Sequence, residues 1–585
     1  MTEPRKFSPR EAIPPFSRDL LGSGDVFTRL GSGELGGKAT GLAFIRDTLA
    51  EGLKADEFPE IEITIPRLTV LTTDLFDAFM EQNDLYEVAL SELSDARIAH
   101  AFQRASFPPA FVGDLMGLIS KVHQPLAVRS SSLLEDALHH PFAGVYGTKM
   151  IPNNQFDVET RFRKLVEAIK FVYASVFFEE AKAYIASIER RIEDEKMAVV
   201  IQEIVGVRYG ERFYPTLSGV GRSYNFYPVG RARPEQGVVD LALGLGKSIV
   251  DGGMCWTYSP AFPETNPPVG SAGELLKVTQ REFWAVNMGK PPTFDPTKET
   301  EYMIQPGLAE AEADETLRFV ASTYDPQADR MNPGIENPGP RAVTFAPILF
   351  YEQLPLNRLV QKLLKLCEAA VGAPVEIEFA VTLGKKRALP ARFGFLQVRP
   401  MMVSTEEVEI GEGEMTGDRV LLASDTVLGN GTVEDIRDVV YVRSDSFEAR
   451  HTPAIAGEIA AMNRPLAAEK RPYLLIGFGR WGSSDPWLGI PVKWAQISGV
   501  KTLVEATLPT MNVELSQGSH FFHNLASFQV SYFSVRHDGP FHVDWNWLEN
   551  QPCVSETPLV RHIRLTKPLH VRVDGRSRQG VVHHE

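Results

Sequence analysis

The sequence has few cysteines and no long apolar run. Its three cysteines, Cys255, Cys367 and Cys553, lie far apart and form no CxxC pair, which is typical of inert thiols in a reducing compartment. The first residues contain no apolar segment with a small-residue cleavage site, and no apolar stretch approaches the length that crosses a bilayer. We therefore expect a cytoplasmic protein with no membrane partner.

The sequence also lacks an excess of basic charge. Lys and Arg number 60 against 75 Asp and Glu, which gives a formal net charge of -15. An acidic surface repels nucleic acid and anionic lipid, so neither is an expected partner, although a local cluster of Lys and Arg can still bind phosphate. With 585 residues and 43% hydrophobic content, the chain predicts two to four structural units.

Periodicity and composition indicate mixed helices and strands. Residues 1–30 are rich in Pro, Arg and Ser and predict a surface arm, and a Gly-rich turn at 31–38 precedes a helix pattern at 40–53. The stretches 260–300 and 323–340 are dense in Pro, Gly and Asn and predict long surface loops.

Two predicted strands, PVEIEFAVTL and FGFLQVRPMMV, carry charged residues within apolar sequence. Alternation places Glu376 and Glu378 on one face of the first strand, and Gln397 and Arg399 on one face of the second. If the strands pair antiparallel, two carboxylates, an amide and a guanidinium project from one surface, which suits Mg²⁺ and a transferring phosphate. The alternative is a solvated sheet face with a cross-strand salt bridge.

Two Gly-rich loops and an arginine are further candidates for phosphate binding. GSGELGGKAT departs from the Walker pattern at Ser32 and Ala39, and LALGLGKS departs from it at Leu241, so the sequence argues against a Walker site. Glycine loops before helices can still bind phosphate through backbone N–H groups, but many are only tight turns. Arg129, in AVRSSSLLED, lies at the end of an apolar strand before a polar turn, where it either reaches into a cleft or is an ordinary surface arginine.

Several motifs occur together in a fixed order. They are GGKATGLAFI (36–45), IPRLTVLTTDLFDAF (65–79), LAVRSSSLLED (126–136), FAGVYGT (142–148), YASVFFEEAKAY (173–184), MAVVIQEIVG (197–206), LGLGKSIVDGG (243–253), EIEFAV (376–381) and LQVRPM (396–401). In this order they resemble the nucleotide-binding domain of the pyruvate phosphate dikinase and phosphoenolpyruvate synthase family over residues 31–402. The resemblance implies an α/β fold with an ATP-grasp-like split nucleotide-binding domain. Beyond the resemblance, the acidic composition after position 402 predicts a linker at 403–418, and mixed strand and helix patterns predict a smaller mixed α/β C-terminal domain at 419–585.

The resemblance implies roles for residues in the first half of this domain. Lys38 and Arg129 would hold the phosphates of ATP, the substrate. The loop from Gly144 to Thr148 would close over those phosphates. Gln202 and the strand after it would border the adenine.

It also implies roles for the paired strands. Glu378 and Gln397 would hold Mg²⁺ with help from Glu376, and Arg399 would contact the phosphate being transferred. These positions agree with the strand-face argument made from the residues alone. Such a site acts by positioning and charge neutralisation of the transferring group, and that step needs no protein nucleophile.

The sequence departs from the family after position 402. Members that make phosphoenolpyruvate carry a swivelling domain with a phosphorylated His in a Thr-x-His or Ser-x-His context, and a large barrel that binds pyruvate. About 180 residues follow position 402, whereas a TIM barrel alone takes about 250. We therefore do not expect a complete pyruvate dikinase.

The C-terminal stretch LLIGFGRWGSSDPWLGIPVKWAQISGV predicts a buried strand that delivers a polar turn to a surface. The polar candidates are Arg480, Ser483, Ser484 and Asp485, and the aromatic candidates for ligand stacking are Trp481, Trp487 and Trp494. The alternative is three core aromatics beside a tight turn. WLGIPV resembles the sequence after the family's phosphorylated His, which places Asp485 near the expected His.

A second C-terminal stretch, SQGSHFFHNL, contains two histidines. His520 and His523 are spaced i, i+3, and His520 is a candidate phosphoryl acceptor. His520 can equally be a packed residue beside Phe521 and Phe522. A zinc site is less favoured because no Cys or carboxylate cluster accompanies the pair.

Three functions are consistent with this sequence. The leading hypothesis is an ATP-dependent phosphotransferase of the dikinase type, which splits ATP to AMP and phosphate and passes a phosphoryl group to a histidine or to an unknown small-molecule or protein acceptor. The second is a catalytically impaired ATP-binding regulator or sensor, which the missing phosphohistidine motif favours. The third is an ADP-forming ligase or kinase. The complete transfer set favours the first hypothesis, because simple binding does not need all of it.

Overall fold

The computed structural model describes residues 13–18, 26–54, 56–132, 144–187, 191–226, 228, 230–265, 271–384, 390–401, 403, 408–483, 485–510, 521, 524–525, 528–575 and 577–585. The chain divides into two compact units. The first comprises Met1–Ile249 and Met254–Pro400, and the second comprises Val250–Gly253 and Met401–Glu585. Among the described residues, no helix combines the length and the apolar character needed to cross a bilayer.

Mixed helices and strands build the chain up to Pro400. The strands are β1 (Phe27–Leu30), β2 (Ile61–Thr64), β3 (Leu68–Leu71), β4 (Leu126–Ser132), β5 (Thr148–Ile151), β6 (Met197–Glu203), β7 (Val207–Tyr209), β8 (Arg212–Tyr214), β9 (Leu217–Arg222), β10 (Val238–Ala242), β11 (Trp256–Tyr258), β12 (Ala285–Asn287), β13 (Met303–Ile304), β14 (Ala321–Asp325), β15 (Arg330–Pro333), β16 (Arg341–Val343), β17 (Val375–Thr382) and β18 (Ala391–Pro400). The helices are α1 (Gly36–Gly52), α2 (Thr73–Gln82), α3 (Tyr86–Leu90), α4 (Asp95–Arg104), α5 (Pro109–Lys121), α6 (Val158–Ser175), α7 (Glu179–Ser187), α8 (Lys247–Val250), α9 (Ala272–Val278), α10 (Leu308–Ala313), α11 (Ala346–Leu349) and α12 (Leu356–Val371).

Two larger sheets organise the first unit. One has the order β1-β3-β6-β4-β5, and the other has the order β11-β10-β9-β17-β18-β2. Two smaller sheets have the orders β13-β12-β8-β7 and β15-β14-β16. Strand β17 pairs antiparallel with β18 on one side and with β9 on the other. It therefore lies inside its sheet, with neighbouring strands on both edges.

Helices α1 and α12 bury apolar faces against the six-stranded sheet that contains β17 and β18. Leu42 and Ile45 of α1, Leu363 of α12, and Ile377 and Val398 of the sheet belong to one buried cluster. The spacing of Leu42 and Ile45 predicts this helix face, and the helix is confirmed. The helix begins earlier than predicted, however, because its first turn includes the end of the Gly-rich segment.

Strand β4 continues through the three serines that the sequence places in a turn. Ser130, Ser131 and Ser132 are all buried and pair with residues of β6. The Ser131 hydroxyl accepts a hydrogen bond from the Ala39 N–H at 3.1 Å and donates to the Leu35 carbonyl at 2.8 Å. The expected polar turn is wrong here, because hydrogen bonds to α1 satisfy a hydroxyl that the strand buries.

The two expected long surface loops also contain regular structure. The stretch 323–340 holds part of β14, all of β15 and the turn between them, and β14 also pairs with β16. The stretch 260–300 holds α9 and β12. The expectation of long loops is wrong where these elements lie, because Pro, Gly and Asn mark the tight turns between short elements.

The second unit is a mixed α/β structure. Its strands are β19 (Val420–Ser424), β20 (Val427–Leu428), β21 (Asn430–Val442), β22 (Tyr473–Phe478), β23 (Arg480–Trp481), β24 (Gly489–Ile490), β25 (Val500–Ala506), β26 (Ser531–Val535), β27 (Cys553–Glu556), β28 (Val560–Asp574) and β29 (Gln579–His583). Its helices are α13 (Thr452–Ala468) and α14 (Trp545–Glu549).

One sheet with the order β19-β29-β28-β21-β22-β25-β26-β20 dominates the second unit. Strands β21, β22, β25 and β26 run parallel, and β28 pairs antiparallel with β21. Leu474, Ile476, Val504 and Phe533 of the parallel strands are buried in one apolar cluster. The carboxyl ends of the parallel strands meet at one edge, which is where open α/β sheets place functional loops.

Candidate active site

The antiparallel pair β17–β18 places charged side chains directly opposite one another. Glu376 is opposite Arg399, and Glu378 is opposite Gln397. The ladder shifts register between Glu378 and Phe379, immediately after these two pairs. A bulge of this kind re-aims side chains beside functional sites. The pairing that the strand-face argument requires is therefore present.

Arg399 connects the two glutamates of β17. Its Nε donates to Glu376 Oε1 at 2.7 Å, and its Nη2 donates to Glu378 Oε1 at 2.8 Å. The Arg399 side chain is 3% exposed, whereas that of Glu378 is 15% exposed. Glu378 thus lies at the open end of this set. Both carboxylates hold the guanidinium in one orientation, which is the preorganisation that a phosphate-binding arginine needs.

Arg129 reaches the same place from the other large sheet. Its Nη2 donates to Gln397 Oε1 at 2.7 Å and to Glu378 Oε2 at 3.3 Å. Its Nη1 donates to the Leu396 carbonyl at 3.1 Å. Arg129 lies within β4 and not at its end, since the strand continues through the serines. The alternative of an ordinary surface arginine is excluded by these bonds.

The donor set around Arg129 fits a hard divalent cation. Glu378 Oε2 and Gln397 Oε1 approach the same cationic nitrogen, so two oxygen ligands already converge on one point. Mg²⁺ prefers oxygen ligands and is usually held by one or two protein groups together with phosphate oxygens. Within the described ranges, no group of three or more His, Cys, Asp and Glu side chains forms a metal cage. This pair therefore fits a metal that is shared with a nucleotide.

Glu376 lies deeper than the other acidic residue. It is 3% exposed, and its Oε2 accepts a hydrogen bond from Arg222 Nε at 2.8 Å. Arg222 also donates from Nη2 to Asp240 Oδ2 at 3.1 Å. Neither Arg222 nor Asp240 was expected at the site from the sequence. The sequence does contain an indication of this pair. An aspartate inside the apolar segment VVDLA needs a charged or hydrogen-bonding partner when that segment forms a buried strand.

Lys38 lies in the first turn of α1, beside the same β4 strand. Its ammonium donates to the Ser130 hydroxyl at 3.2 Å. The helix approaches β4 closely at Gly36, where φ is +74° and an added Cβ would lie 1.7 Å from the Ser131 carbonyl oxygen. Only glycine fits at that position. The Gly-rich segment therefore brings Lys38 to the strand that carries Arg129.

The remaining predicted nucleotide contacts lie around β5 and β6. Thr148 opens β5 and is opposite Arg129 in the ladder. Gly144 is exposed with a φ of +72°. Gln202 is buried in β6, and its Oε1 lies 3.5 Å from Arg129 Nη1. The structure thus groups Thr148 and Gln202 around Arg129.

The C-terminal tryptophans separate into two environments. Trp481 and Trp494 are buried, whereas Trp487 is 70% exposed. The indole N–H of Trp481 donates to the Val504 carbonyl, and its backbone N–H donates to the carboxylate of Glu505 at 2.8 Å. The alternative of core aromatics is therefore correct for Trp481 and Trp494, and their expected stacking on a ligand is wrong.

The turn after β22 uses its own donors inside the second unit. The backbone N–H groups of Gly479, Arg480 and Gly482 donate to the carbonyls of Ala506, Leu488 and Ile490. Ser483 is buried, and its hydroxyl donates to the Asp485 carbonyl at 3.1 Å. These three N–H groups are consequently not arranged to bind a phosphate. The hypotheses on Ser484, His520 and His523 concern residues outside the described part of the chain.

A comparison with protein families gives a match for most of the first unit. The family described as pyruvate phosphate dikinase, AMP/ATP-binding domain, matches residues 32–417. The match covers about two-thirds of the chain and includes the strands of both large sheets except β1. It confirms the resemblance found over 31–402, and residues 418–585 lie beyond it.

Proposed function

We propose that this chain, which belongs to the family of the pyruvate phosphate dikinase AMP/ATP-binding domain, is an ATP-dependent phosphotransferase of the dikinase type. The proposed reaction divides ATP into AMP and two phosphoryl groups. The γ-phosphoryl group passes to water and leaves as inorganic phosphate, and the β-phosphoryl group passes to an acceptor. Mg²⁺ is the proposed metal, and the cytoplasm is the proposed location.

The observation that carries this proposal is the convergence of Arg129, Glu378, Gln397 and Arg399. These side chains come from β4, β17 and β18 in two different sheets, yet they form one hydrogen-bonded set. Two guanidiniums on either side of a carboxylate exceed what nucleotide binding alone requires. They supply positive charge where a transferring phosphoryl group develops negative charge.

Each side chain has a proposed part. Glu378 and Gln397 would hold Mg²⁺, which supplies neutralisation of the phosphate charge. Arg129, which these two side chains hold in the structure, would then donate its N–H groups to phosphate oxygens. Lys38 would add a point charge to the same phosphates. Arg399 would keep its Nε bond to Glu376 and its orientation, and its Nη2, once Glu378 is engaged with the metal, would donate to the phosphoryl group being transferred.

Glu376 is better explained as a support for Arg399 than as a metal ligand. Its Oε1 accepts from Arg399 and its Oε2 accepts from Arg222, and both of these guanidiniums are buried, whereas Glu378 is shared with the less buried Arg129. The residue is also almost fully buried. We therefore leave Glu376 out of the proposed metal ligands.

The residues around β5 and β6 keep their predicted parts in this proposal. The segment from Gly144 to Thr148 would close over the phosphates, and Gln202 would border the adenine. The second unit is proposed to bind the phosphoryl acceptor, which is a small molecule or a protein. His520 remains a predicted carrier of the phosphoryl group.

Product analysis with labelled nucleotide tests this proposal. The purified chain would be incubated with Mg²⁺ and ATP labelled at either the β or the γ phosphorus, with a pool of cell metabolites as acceptors. The dikinase reaction gives AMP, free phosphate from the γ position, and β label on an acceptor or on the protein. An ADP-forming kinase instead gives ADP and γ label on the acceptor.

The control for this experiment is the Arg399→Lys variant, which keeps the charge but loses the fork of two donors. All products should fall with this substitution if they arise at the described site. Tight ATP binding without either set of products would overturn the enzymatic proposal and favour a nucleotide-sensing protein.

A further inference from the structure

A row of alternating charges extends from the candidate active site into the core of the first unit. Asp240 of β10 bonds Arg222 of β9, Arg222 bonds Glu376 of β17, and Glu376 bonds Arg399 of β18. Arg222 is directly opposite Glu376 in the ladder, and Glu376 is directly opposite Arg399. The row therefore crosses four adjacent strands and ends at Glu378, which Arg399 also contacts.

The inner end of this row is completely enclosed. The side chain of Asp240 is 0% exposed and that of Arg222 is 3% exposed. Burial lowers the pKa of Arg222, but the charges of Asp240 and Glu376 raise it by more, so the guanidinium stays protonated. Asp240 also accepts a hydrogen bond from the Thr257 hydroxyl through its other oxygen. Both carboxylate oxygens of Asp240 thus have partners.

Stability alone is a poor reason for these charges. Taking a guanidinium and a carboxylate out of water is costly, and packed apolar residues of similar volume often stabilise a fold as well or better. The row instead has a geometric property that apolar residues cannot supply. It fixes the orientation of one carboxylate, Glu376, from two opposite sides.

We propose that Arg222 and Asp240 are positioning residues for phosphoryl transfer, which hold Glu376 so that Arg399 keeps its orientation when Glu378 turns to the metal. This inference rests on the proposed function. Arg399 has two carboxylate bonds, through Nε to Glu376 and through Nη2 to Glu378. Once Glu378 is engaged elsewhere, Glu376 is the other carboxylate that Arg399 contacts in the part of the chain that the structure describes.

Arg222 and Asp240 act on Arg399 through two successive bonds. Arg222 Nε holds the Glu376 oxygen that Arg399 does not use, so Glu376 cannot rotate freely. Asp240 holds Arg222 through Nη2 and prevents it from drawing Glu376 away. Loss of Asp240's charge would leave Arg222 with one anionic partner, and Arg222 would then compete with Arg399 for Glu376.

The first test compares two conservative variants with a matched pair. Asp240→Asn keeps the shape and removes the charge, and Arg222→Lys keeps the charge and removes the fork. Arg212 and Asp314 form another Arg–Asp pair in the same unit, with two bonds at 3.0 and 2.7 Å, outside this row. Asp314→Asn and Arg212→Lys are therefore the controls for loss of a partly buried Arg–Asp pair.

We expect kcat for AMP formation to fall roughly ten-fold or more in Asp240→Asn and in Arg222→Lys, by analogy with the loss of a hydrogen-bonded partner behind a metal ligand. The KM for ATP should change less than kcat. The control variants, Asp314→Asn and Arg212→Lys, should keep the wild-type kcat when it is expressed per nucleotide-binding site. An unchanged kcat in both row variants would overturn the inference.

A second readout does not depend on turnover. Affinity for a non-hydrolysable ATP analogue is measured by calorimetry with and without Mn²⁺. In Asp240→Asn and Arg222→Lys, the factor by which Mn²⁺ raises the affinity should be about ten-fold smaller than in wild type. The reason is that Arg399 then depends more on its bond to Glu378, which leaves Glu378 less available to the metal. If wild type binds the analogue with Mn²⁺ but forms no product, the proposed function fails while this readout still tests the positioning role. An unchanged metal-dependent gain would refute that role.

An apolar double variant separates positioning from folding. Arg222→Met combined with Asp240→Leu removes both charges and fills similar volume, which favours a folded protein. A positioning role predicts a folded variant that remains impaired in kcat and in the Mn²⁺-dependent gain. Recovery of both values would show that the pair only supports the fold. If the double variant does not fold, the conservative variants decide by the same two readouts.

Discussion

Glu505 provides a direct test of electrostatics in the second unit. Its carboxyl is buried and accepts a hydrogen bond from the Trp481 backbone N–H. Burial raises the pKa of Glu505 from its ordinary value of 4.5 to about 7. The fold therefore favours the protonated form. Its contribution to the free energy of unfolding is fully present below about pH 4.5 and is lost as the pH rises through about 7.

The size of this loss follows from the two pKa values. At about 1.4 kcal/mol per pH unit, the interval from 4.5 to about 7 corresponds to roughly 3 kcal/mol. Glu505→Gln keeps the volume and an acceptor oxygen but does not titrate. The free energy of unfolding of wild type, measured relative to this variant, should fall by about 3 kcal/mol between pH 4 and pH 8.

Urea unfolding of the full chain, followed by tryptophan fluorescence at several pH values, measures this difference. The second unit contains five of the seven tryptophans, so the signal reports mainly on it. Glu448→Gln is the control, because its side chain is 55% exposed, and its curve should run parallel to that of wild type. If the curve of Glu505→Gln also runs parallel to that of wild type, the reasoning from burial is wrong.

The remaining predictions concern the candidate site and the second core. Arg399→Lys should lower AMP formation about 100-fold while analogue binding changes by a few-fold, because one ammonium cannot serve both carboxylates. Glu378→Gln should weaken Mg²⁺-dependent ATP binding about ten-fold in calorimetry, and an unchanged affinity would remove Glu378 from the metal site. Ile476→Ala should cost about 2–5 kcal/mol in urea unfolding, since the residue is 0% exposed. The exposed control Val554→Ala should cost less than about 0.5 kcal/mol.

The outer part of the candidate site could be predicted from the sequence. Strand alternation and an antiparallel pairing are local properties, and they are sufficient to bring Glu378, Gln397 and Arg399 together. Arg129 lies in another sheet. Its role is predicted only through the motif VRSS and the place of this motif in the order of motifs, because no local rule relates β4 to β18.

The inner part of the site could not be derived in the same way. Arg222 and Asp240 become neighbours of Glu376 only through the order β10-β9-β17, which depends on long-range pairing. For the serines of β4 the local sequence is misleading and not merely insufficient, since the local preference of serine predicts a turn. Hydrogen bonds to α1, which the local sequence does not reveal, made the buried strand the better solution.

The charges of the candidate site have a consequence for how nucleotide arrives. Three carboxylates, Asp240, Glu376 and Glu378, and three guanidiniums are linked in one set, and their formal charges sum to zero, with Lys38 beside the set as one further positive charge. A self-neutralised set projects little field into solvent, and the chain as a whole carries -15. Long-range attraction therefore contributes little to the encounter with an anionic nucleotide. Raising the ionic strength should therefore not slow association, and selectivity should arise after contact, when the internal bonds of Arg129 are exchanged for phosphate.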